Sequence, residues 1–435
     1  MQNRDQSGLI VSGASAAAVE AYDGALEAYY CFAGDAVGLV ERAIADSPQF
    51  VMAHVLKAWL LLVGSNPECQ AIAAGAVQAA RALPCNEREA AHVAALTAMA
   101  TGEIRSAGRI LEDVSIAHPR DGLALQAGQV CDFLVGDSRM KRDRILRAMP
   151  HWSEDQPDYH AILGLAAFGL EETGMYARAE AAGRRAIELQ PRNGWAQHAV
   201  AHVLEMQDRR LEGVAWMRAD IEAWTRESFF AVHNWWHLAL FHLGLGDVEE
   251  VLNLFDGPIY GNASDFAFDM VDAAALLWRL ELQGVDVGAR WGRIADVYEA
   301  KAAFGQYAFD DAHAMMAFAG AGRRAGADAL LAAQRRALEG TGDNVEFTRA
   351  VGLPVVQAIE AFGEGHYGRC VELLREVRNR SHRFGGSHAQ RDLIDQTLIE
   401  AARRSGQSGL LEALQTERAA AKPDAPVRPV RLAAE

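Results

Sequence analysis

The sequence predicts an all-α fold, a right-handed superhelix of antiparallel helix pairs. Three observations predict it. A short ladder of small and apolar residues closed by proline recurs along the N-terminal half. Elsewhere apolar residues follow helical spacing, with glycine-containing turns between segments. No segment shows a convincing apolar–polar alternation, the mark of a half-buried strand.

The ladder is the strongest signal. Ala36, Val40, Ala43 and Pro48 set it: a small residue, then apolar or small residues one and two turns on, then proline. Ala107, Leu111, Val114 and Pro119 repeat it, as do Ala179, Gly183, Ala186 and Pro191. Ile72, Ala76, Ala79 and Pro84 read as a looser copy. Pro48, Pro84, Pro119, Pro150 and Pro191 therefore step along the chain close to the period of about 34 residues that marks a tetratricopeptide unit. Small residues let two helices approach closely, and proline stops a helix because it lacks the amide hydrogen and clashes with the preceding turn.

The best single unit runs from Tyr159 to Pro191, with Leu163-Gly164 in its first helix and Gly174-Met175-Tyr176 at its turn. The pattern returns at Gly365, Tyr367, Cys370, Leu374 and Val377, which makes Cys370 a packing cysteine. Between residues 200 and 360 the repeats are degenerate, but helices are expected over Leu211–Trp224, Val232–Leu245, Val248–Phe255 and Asp269–Gln283. The organisation expected is an N-terminal arm (1–20), one tetratricopeptide-like α-solenoid (20–418) and a loose proline-containing tail (419–435).

Half the 435 residues are hydrophobic and 23% are charged, the balance of a folded chain. The net charge of −16 repels phosphate backbones and argues against nucleic acid as a partner. Five scattered cysteines without a Cys-x-x-Cys fit a reducing compartment and neither a disulfide framework nor a zinc ribbon. The N-terminus is a poor signal peptide, and the most apolar run, Val55–Val63, is too short to cross a bilayer. A cytoplasmic protein without a membrane partner is expected; a homodimer is a possibility the sequence leaves open.

The chemistry-bearing residues concentrate in one place. His198 and His202 share a helix face, as do His233 and His237, and Glu205 lies on the side of His202. Trp235 and Trp236 stand between the second pair, and His242 follows. If first helices of neighbouring pairs line a concave surface, the two His-x-x-x-His helices face each other across it, with His160 of the preceding pair able to join. Imidazoles there can serve as acid–base groups, as ligands of zinc or iron, or simply as packed groove residues. The His-Glu-x-x-His string of metalloproteases is absent, as are the phosphate loop, the nucleophile elbow and the dinucleotide fingerprint.

Two further clusters stand out. Asp310, Asp311 and His313 follow Tyr307 and Phe309 at a helix start, where aspartates either cap the helix or line a pocket. Gly385-Gly386-Ser387 leads into His388 and Arg391, either as an N-cap loop or as an anion site at a helix N-terminus.

With those residues in hand, the chain resembles the tetratricopeptide repeat protein 38 family. Four strings carry the resemblance: His198 to Gln207, His233 to His242, Asp272 to Glu281, and Gly385 to Asp392. It covers about residues 30 to 415. What it implies is an α-helical repeat protein, with no activity to carry over.

Two functions follow as expectations. One is a solenoid that binds a small molecule or peptide in a concave pocket lined by His160, Glu205, Trp235, Trp236, His242, Asp311, His313, His388 and Arg391. The other is an enzyme of hydrolase or lyase type, its catalytic groups His198, His202, His233 and His237, with or without a zinc or iron ion held by those four. A merely structural role for the histidines is the third reading.

Overall fold

The computed structural model describes residues 3–62 and 66–421. Helix pairs follow one another along the chain. They are α1 (Ala16–Cys31) with α2 (Ala36–Asp46), α3 (Val51–Leu62) with α4 (Pro67–Ala82), and α5 (Glu87–Ala100) with α6 (Ile104–Ala117). Next come α7 (Gly122–Leu134) with α8 (Ser138–Ala148), α9 (Tyr159–Glu171) with α10 (Tyr176–Leu189), and α11 (Gly194–Met206) with α12 (Arg210–Arg218). A short helix α13 (Ile221–Thr225) leads to α14 (Ala231–Leu245) with α15 (Val248–Leu254), α16 (Ala267–Leu282) with α17 (Arg290–Lys301), and α18 (Ala308–Ala321) with α19 (Arg324–Ala337). After α20 (Asp343–Phe347) the last pairs are α21 (Leu353–Gly363) with α22 (Tyr367–Val377) and α23 (His388–Arg404) with α24 (Ser408–Ala421). This is an all-α, tetratricopeptide-like solenoid.

The ladder residues do what their chemistry demands. Ala36, Val40 and Ala43 are buried on α2, Ala107, Leu111 and Val114 on α6, and Ala179, Gly183 and Ala186 on α10. A Cβ on Gly183 would lie 2.6 Å from Val200 Cγ2, so α10 and α11 approach too closely for a larger residue. Pro48, Pro119 and Pro191 each follow directly on the C-cap residue. The looser copy needs correction. On α4 the buried face is Ala73, Ala76, Val77 and Ala80, while Ile72 is exposed, so the true register lies one residue on. Leu211–Trp224 also divides, into α12 and α13, where Asp220 caps the second piece.

Two features escape the ladder. Lys141, Ile145 and Ala148 of α8 keep its spacing, but a lysine stands where the other units have alanine. The turn inside a pair also recurs with a left-handed residue, as at Gly102, Gly136, Gly174, Gly246 and Gly322, with Asp208 (φ 57) taking that role between α11 and α12. The pairing thus continues through the segment where apolar spacing alone fades.

Cys370 packs on α22 as expected, and all five cysteines are free. The one sheet among the described residues is a hairpin of two-residue strands, Asn3–Arg4 with Ile10–Val11. The expected loose tail lies outside the described residues except for Ala419–Ala421, which end α24. No helix among the described residues is long and apolar enough to cross a membrane.

The first helices form a continuous row: α9 packs on α11, α11 on α14, α14 on α16, α16 on α18, and α18 on α21. α9 is buried without interruption from Ala161 to Glu171, as an inner helix must be. The expected open groove is covered in part along this row. α23 lies against α11, α16 and α21. Trp278 Nε1 of α16 donates to Thr397 Oγ1 of α23 at 2.9 Å, and Arg279 donates to the Ala389 carbonyl at 2.7 Å. α23 thus covers part of the inner row.

Candidate functional site

α11 and α14 are neighbours in the inner row, and each carries a histidine pair one turn apart. Asn193 caps α11 by accepting from the Ala196 amide, and Gly246 ends α14 in the left-handed conformation. The two helices then set His198, His202, His233 and His237 in one buried cluster. Each offers one ring nitrogen, and the four nitrogens lie within 4.8 Å of one another. Ring centroids are 4.3 Å apart for His198–His202, 4.5 Å for His202–His237 and 4.9 Å for His233–His237.

Three of the four imidazoles have a carboxyl group behind them. His233 Nδ1 donates to Asp272 Oδ2 of α16 at 2.8 Å. His237 Nδ1 lies 3.4 Å from Glu205 Oε2 of α11, and His202 Nδ1 lies 3.5 Å from Glu171 Oε2 of α9. Of the three, only Asp272 is hydrogen-bonded to its imidazole, which orients His233 and raises its basicity as a ligand; Glu171 and Glu205 stand close to Nδ1 of His202 and His237 without a hydrogen bond. Nε2 of His202 and of His237 is buried with no hydrogen-bond partner. Burial, reinforced by the neighbouring imidazoles, holds His198, His202 and His237 well below the ordinary histidine pKa. Neutral, orphaned imidazole nitrogens converging in a protein interior are the donor set that zinc or iron takes.

Trp236 is fully buried and walls the cluster. Its ring stacks on His233 at 5.3 Å with 16° between planes, and the Arg279 guanidinium stands 5.2 Å over it. Trp235, expected beside it, turns away and packs edge-on against Trp224 at 4.8 Å. His160 does not join either. It sits at the opposite end of α9, where its Nδ1 meets Asn193 Nδ2 at 3.0 Å, and α9 reaches the cluster with Glu171 instead. His242 lies beyond the cluster, with Nδ1 at 3.0 Å from Asp247.

Next to Glu171, a second polar cluster ties α23 down. Lys141 Nζ donates to Glu172 Oε2 at 2.7 Å, the His388 amide donates to Oε1 at 2.8 Å, and Arg391 lies 3.7 Å away. The place an anion would take at this helix N-terminus is filled by the carboxylate of Glu172. Burial works against that carboxylate, but Lys141 and Arg391 more than offset it and hold Glu172 well below the usual carboxylate range. Burial and Glu172 push Glu171 well above it. Ser387 forms a capping box with Gln390, the N-cap reading of the glycine loop.

Asp311 and His313 lie on α18 and form a separate group. Asp311 accepts from the Gly305 amide at 3.0 Å and from Gln334 at 3.1 Å, so it pins the turn before the helix and makes no N-cap bond. His313 Nδ1 meets the Phe309 carbonyl at 2.9 Å.

The residues the sequence reading missed are Glu171, Glu172, Lys141 and the specific role of Asp272. Asp272 and Glu171 carry one weak signal: each is a buried acid adjoining an apolar run of an inner helix, Ala161–Leu170 before Glu171 and Ala273–Trp278 after Asp272. A carboxyl group there needs a partner, and the histidines supply it.

No family model matches the chain. Among solved structures it is similar to a chain of the Naa15/Naa10 assembly bound to HypK-THB, with 10% identity and a TM-score of 0.25, covering 93% of this chain and 64% of that one. It is also similar to the P58(IPK) TPR domain, with 13% identity and a TM-score of 0.21, covering 90% of this chain and 89% of that one. The chain thus spans under two thirds of the first of these. Similarities this loose carry no argument, and the fold is read from the helix pairing itself.

Proposed function

We propose that this chain is a metal-dependent protein whose four-histidine centre holds zinc or iron and takes a small ligand there. One observation carries the reading. His198, His202, His233 and His237 bring four ring nitrogens within 4.8 Å, backed by Glu171, Glu205 and Asp272. Burying four imidazoles and three carboxyl groups together costs solvation that apolar residues of the same volume would not. A bound cation offsets that cost and satisfies the orphaned nitrogens.

Chemically, the ion would supply Lewis acidity or, as iron, redox chemistry, and the four histidines would hold it. Asp272 would fix the orientation of the His233 ring. Trp236 would exclude water from one side. The enzymatic alternative rests on this same centre. A peptide held along the inner face is less well supported, because α23 already lies there.

The resemblance to the tetratricopeptide repeat protein 38 family supports this reading in one respect. Its strings meet around one site: two carry the histidine pairs, the third carries Asp272 and Arg279, and the fourth docks His388 and Arg391 on Glu172. We also read the protein as cytoplasmic and as one repeat body with an N-terminal arm, from its free cysteines and continuous helix pairing.

The test is elemental analysis of untagged protein, wild type beside the His202→Ala/His237→Ala variant. Near-stoichiometric zinc or iron in the wild type, lost in a folded variant, is the expected result. No metal in the wild type, even after reconstitution with Zn(II) or Fe(II), refutes the reading.

A further inference from the structure

All four histidines of the cluster are buried, and aromatic rings close the end formed by His198 and His233. His202 and His237 are 0% exposed, whereas His198 and His233, nearer the start of each helix, keep 2% and 3%. Those two rings face a run of aromatic side chains. Trp195 lies 4.8 Å from His198, Phe230 lies 5.2 Å from His198 and 5.0 Å from His233, and Phe268 lies 5.0 Å from His233. Phe32 stacks on Trp195 at 5.2 Å and touches Phe229 and Phe230. Phe229, at 47% exposure, brings the run to the surface.

This collar is assembled from distant parts of the chain. The end of α1 and the entry to α14 are joined by the bridge between Ala33 and Ser228, and Ser228 Oγ donates to the Phe32 carbonyl at 3.0 Å. Both residues preceding that bridge, Phe32 and Glu227, have φ of 54°. A bulky aromatic rarely adopts the left-handed conformation, and backbone strain of this kind is kept where the surroundings impose it.

Charge narrows what the centre can accept. A divalent ion held by four imidazoles, which bind as neutral ligands, already faces the carboxyl groups of Asp272, Glu205 and Glu171. An anion must shed its hydration shell to reach this interior, and the aromatic rings on the way in carry no charge to replace it. Arg279, the cation over Trp236, donates to the Ala275 and Ala389 carbonyls and lies behind that ring. None of the five collar residues carries a charge that would draw an ion inward.

We propose that the four-histidine centre takes a small, uncharged, apolar molecule, admitted through the aromatic collar of Phe32, Trp195, Phe229, Phe230 and Phe268. The proposal rests on the metal-centre reading and names the class of ligand for that centre. Aromatic surfaces favour an apolar solute over a hydrated ion.

The test uses full-length protein loaded anaerobically with Fe(II). Nitric oxide, a small neutral ligand, and azide, an anion, are compared on it, with the iron–nitrosyl EPR signal as the readout and azide scored by competition against it. Nitric oxide is expected to bind stoichiometrically, while azide at a hundredfold excess leaves the rate and extent of nitrosyl formation unchanged. Phe229→Ala/Phe268→Ala is expected to speed nitric oxide capture about tenfold, with iron content and helicity as in the wild type. Leu211→Ala, at an exposed position on α12, is expected to leave the rate unchanged. Azide binding as readily as nitric oxide overturns the charge argument, and failure of nitric oxide to bind loaded iron overturns the ligand class. Collar variants that retain iron but capture nitric oxide at the wild-type rate overturn the route. Failure to bind iron, with zinc still retained, overturns this proposal alone, whereas failure to hold either metal overturns the centre as well.

Discussion

Lys141→Met isolates the electrostatic part of the contact that locks α23 onto the inner row. Lysine and glutamate are both fully buried, with Nζ 2.7 Å from Glu172 Oε2, and methionine keeps most of the apolar stem while removing the ammonium. Glu172 then retains the His388 amide, Ser138 Oγ at 3.2 Å and Arg391 at 3.7 Å, but loses its shortest charged partner. The ammonium also stands 5.3 Å from the Phe133 ring and 5.2 Å from the Phe168 ring, contacts that methionine partly replaces. Breaking a buried pair from one side costs about 3–5 kcal/mol, and the remaining Arg391 places this case near the lower end, about 3 kcal/mol. Glu172→Gln in the same background removes the stranded charge and should recover about 1–2 kcal/mol as a coupling energy. Urea unfolding of wild type, both single variants and the double variant measures it, with hydrogen exchange on α23 as the local readout. A Lys141→Met cost under about 1 kcal/mol, or strict additivity in the cycle, would refute the claim that this pair fastens α23.

Three further outcomes are expected. Asp272→Asn replaces the carboxylate behind His233 by a neutral amide and should weaken zinc binding about 10- to 100-fold, measured by competition with a chelator, with the fold retained; an unchanged affinity would show that Asp272 does not act through the metal. Burial raises the Asp158 pKa to about 7, so between the unfolded value and about 7 the folded state binds more protons and stability falls as pH rises. Asp158 sits at φ 62°, which asparagine tolerates, so Asp158→Asn should be more stable by about 1–3 kcal/mol at pH 8. That gain should shrink steadily as pH falls toward 4, and a gain that grows on acidification would contradict it. Burial pushes the thiols of Cys31, Cys131 and Cys370 up to about 12, while Cys85 is exposed. A thiol reagent should therefore label Cys85 in native protein and those three only on unfolding, and rapid native labelling of Cys370 would contradict its packing role.

Much of the architecture was legible because repeats encode it locally. The alanine–apolar–proline ladder marks helices that approach closely and then stop, and those positions are buried on α2, α6 and α10. On α4 alanine is so frequent that several registers fit, and the ladder spacing lies one residue off the buried face. At α8 a buried lysine hides the small-residue position. The middle reads as degenerate because its apolar spacing is irregular, although the left-handed turn residues continue there.

The site was legible in part for the same reason. Histidines one turn apart share a helix face, so His198 with His202 and His233 with His237 follow from spacing alone. The repeat allowed α11 and α14 to set these faces together, and the tertiary structure decided that they do. Nothing local indicated that Glu171 and Asp272, from helices on either side, would stand behind them, or that His160 and Trp235 would point elsewhere.

What the sequence determined by itself is therefore what short-range periodicity determines: helix pairs, their order, and the side each histidine pair takes. Only tertiary structure decided that α23 returns to cover part of the inner row, that Glu172 occupies the start of that helix, and that three carboxyl groups surround the imidazoles. The reason is physical. Helix formation and neighbour packing are governed by residues a few positions apart, whereas the curvature of a solenoid sums small rotations over every pair. That sum places residues as far apart in sequence as Lys141 and His388 around one carboxylate, and no local pattern records it.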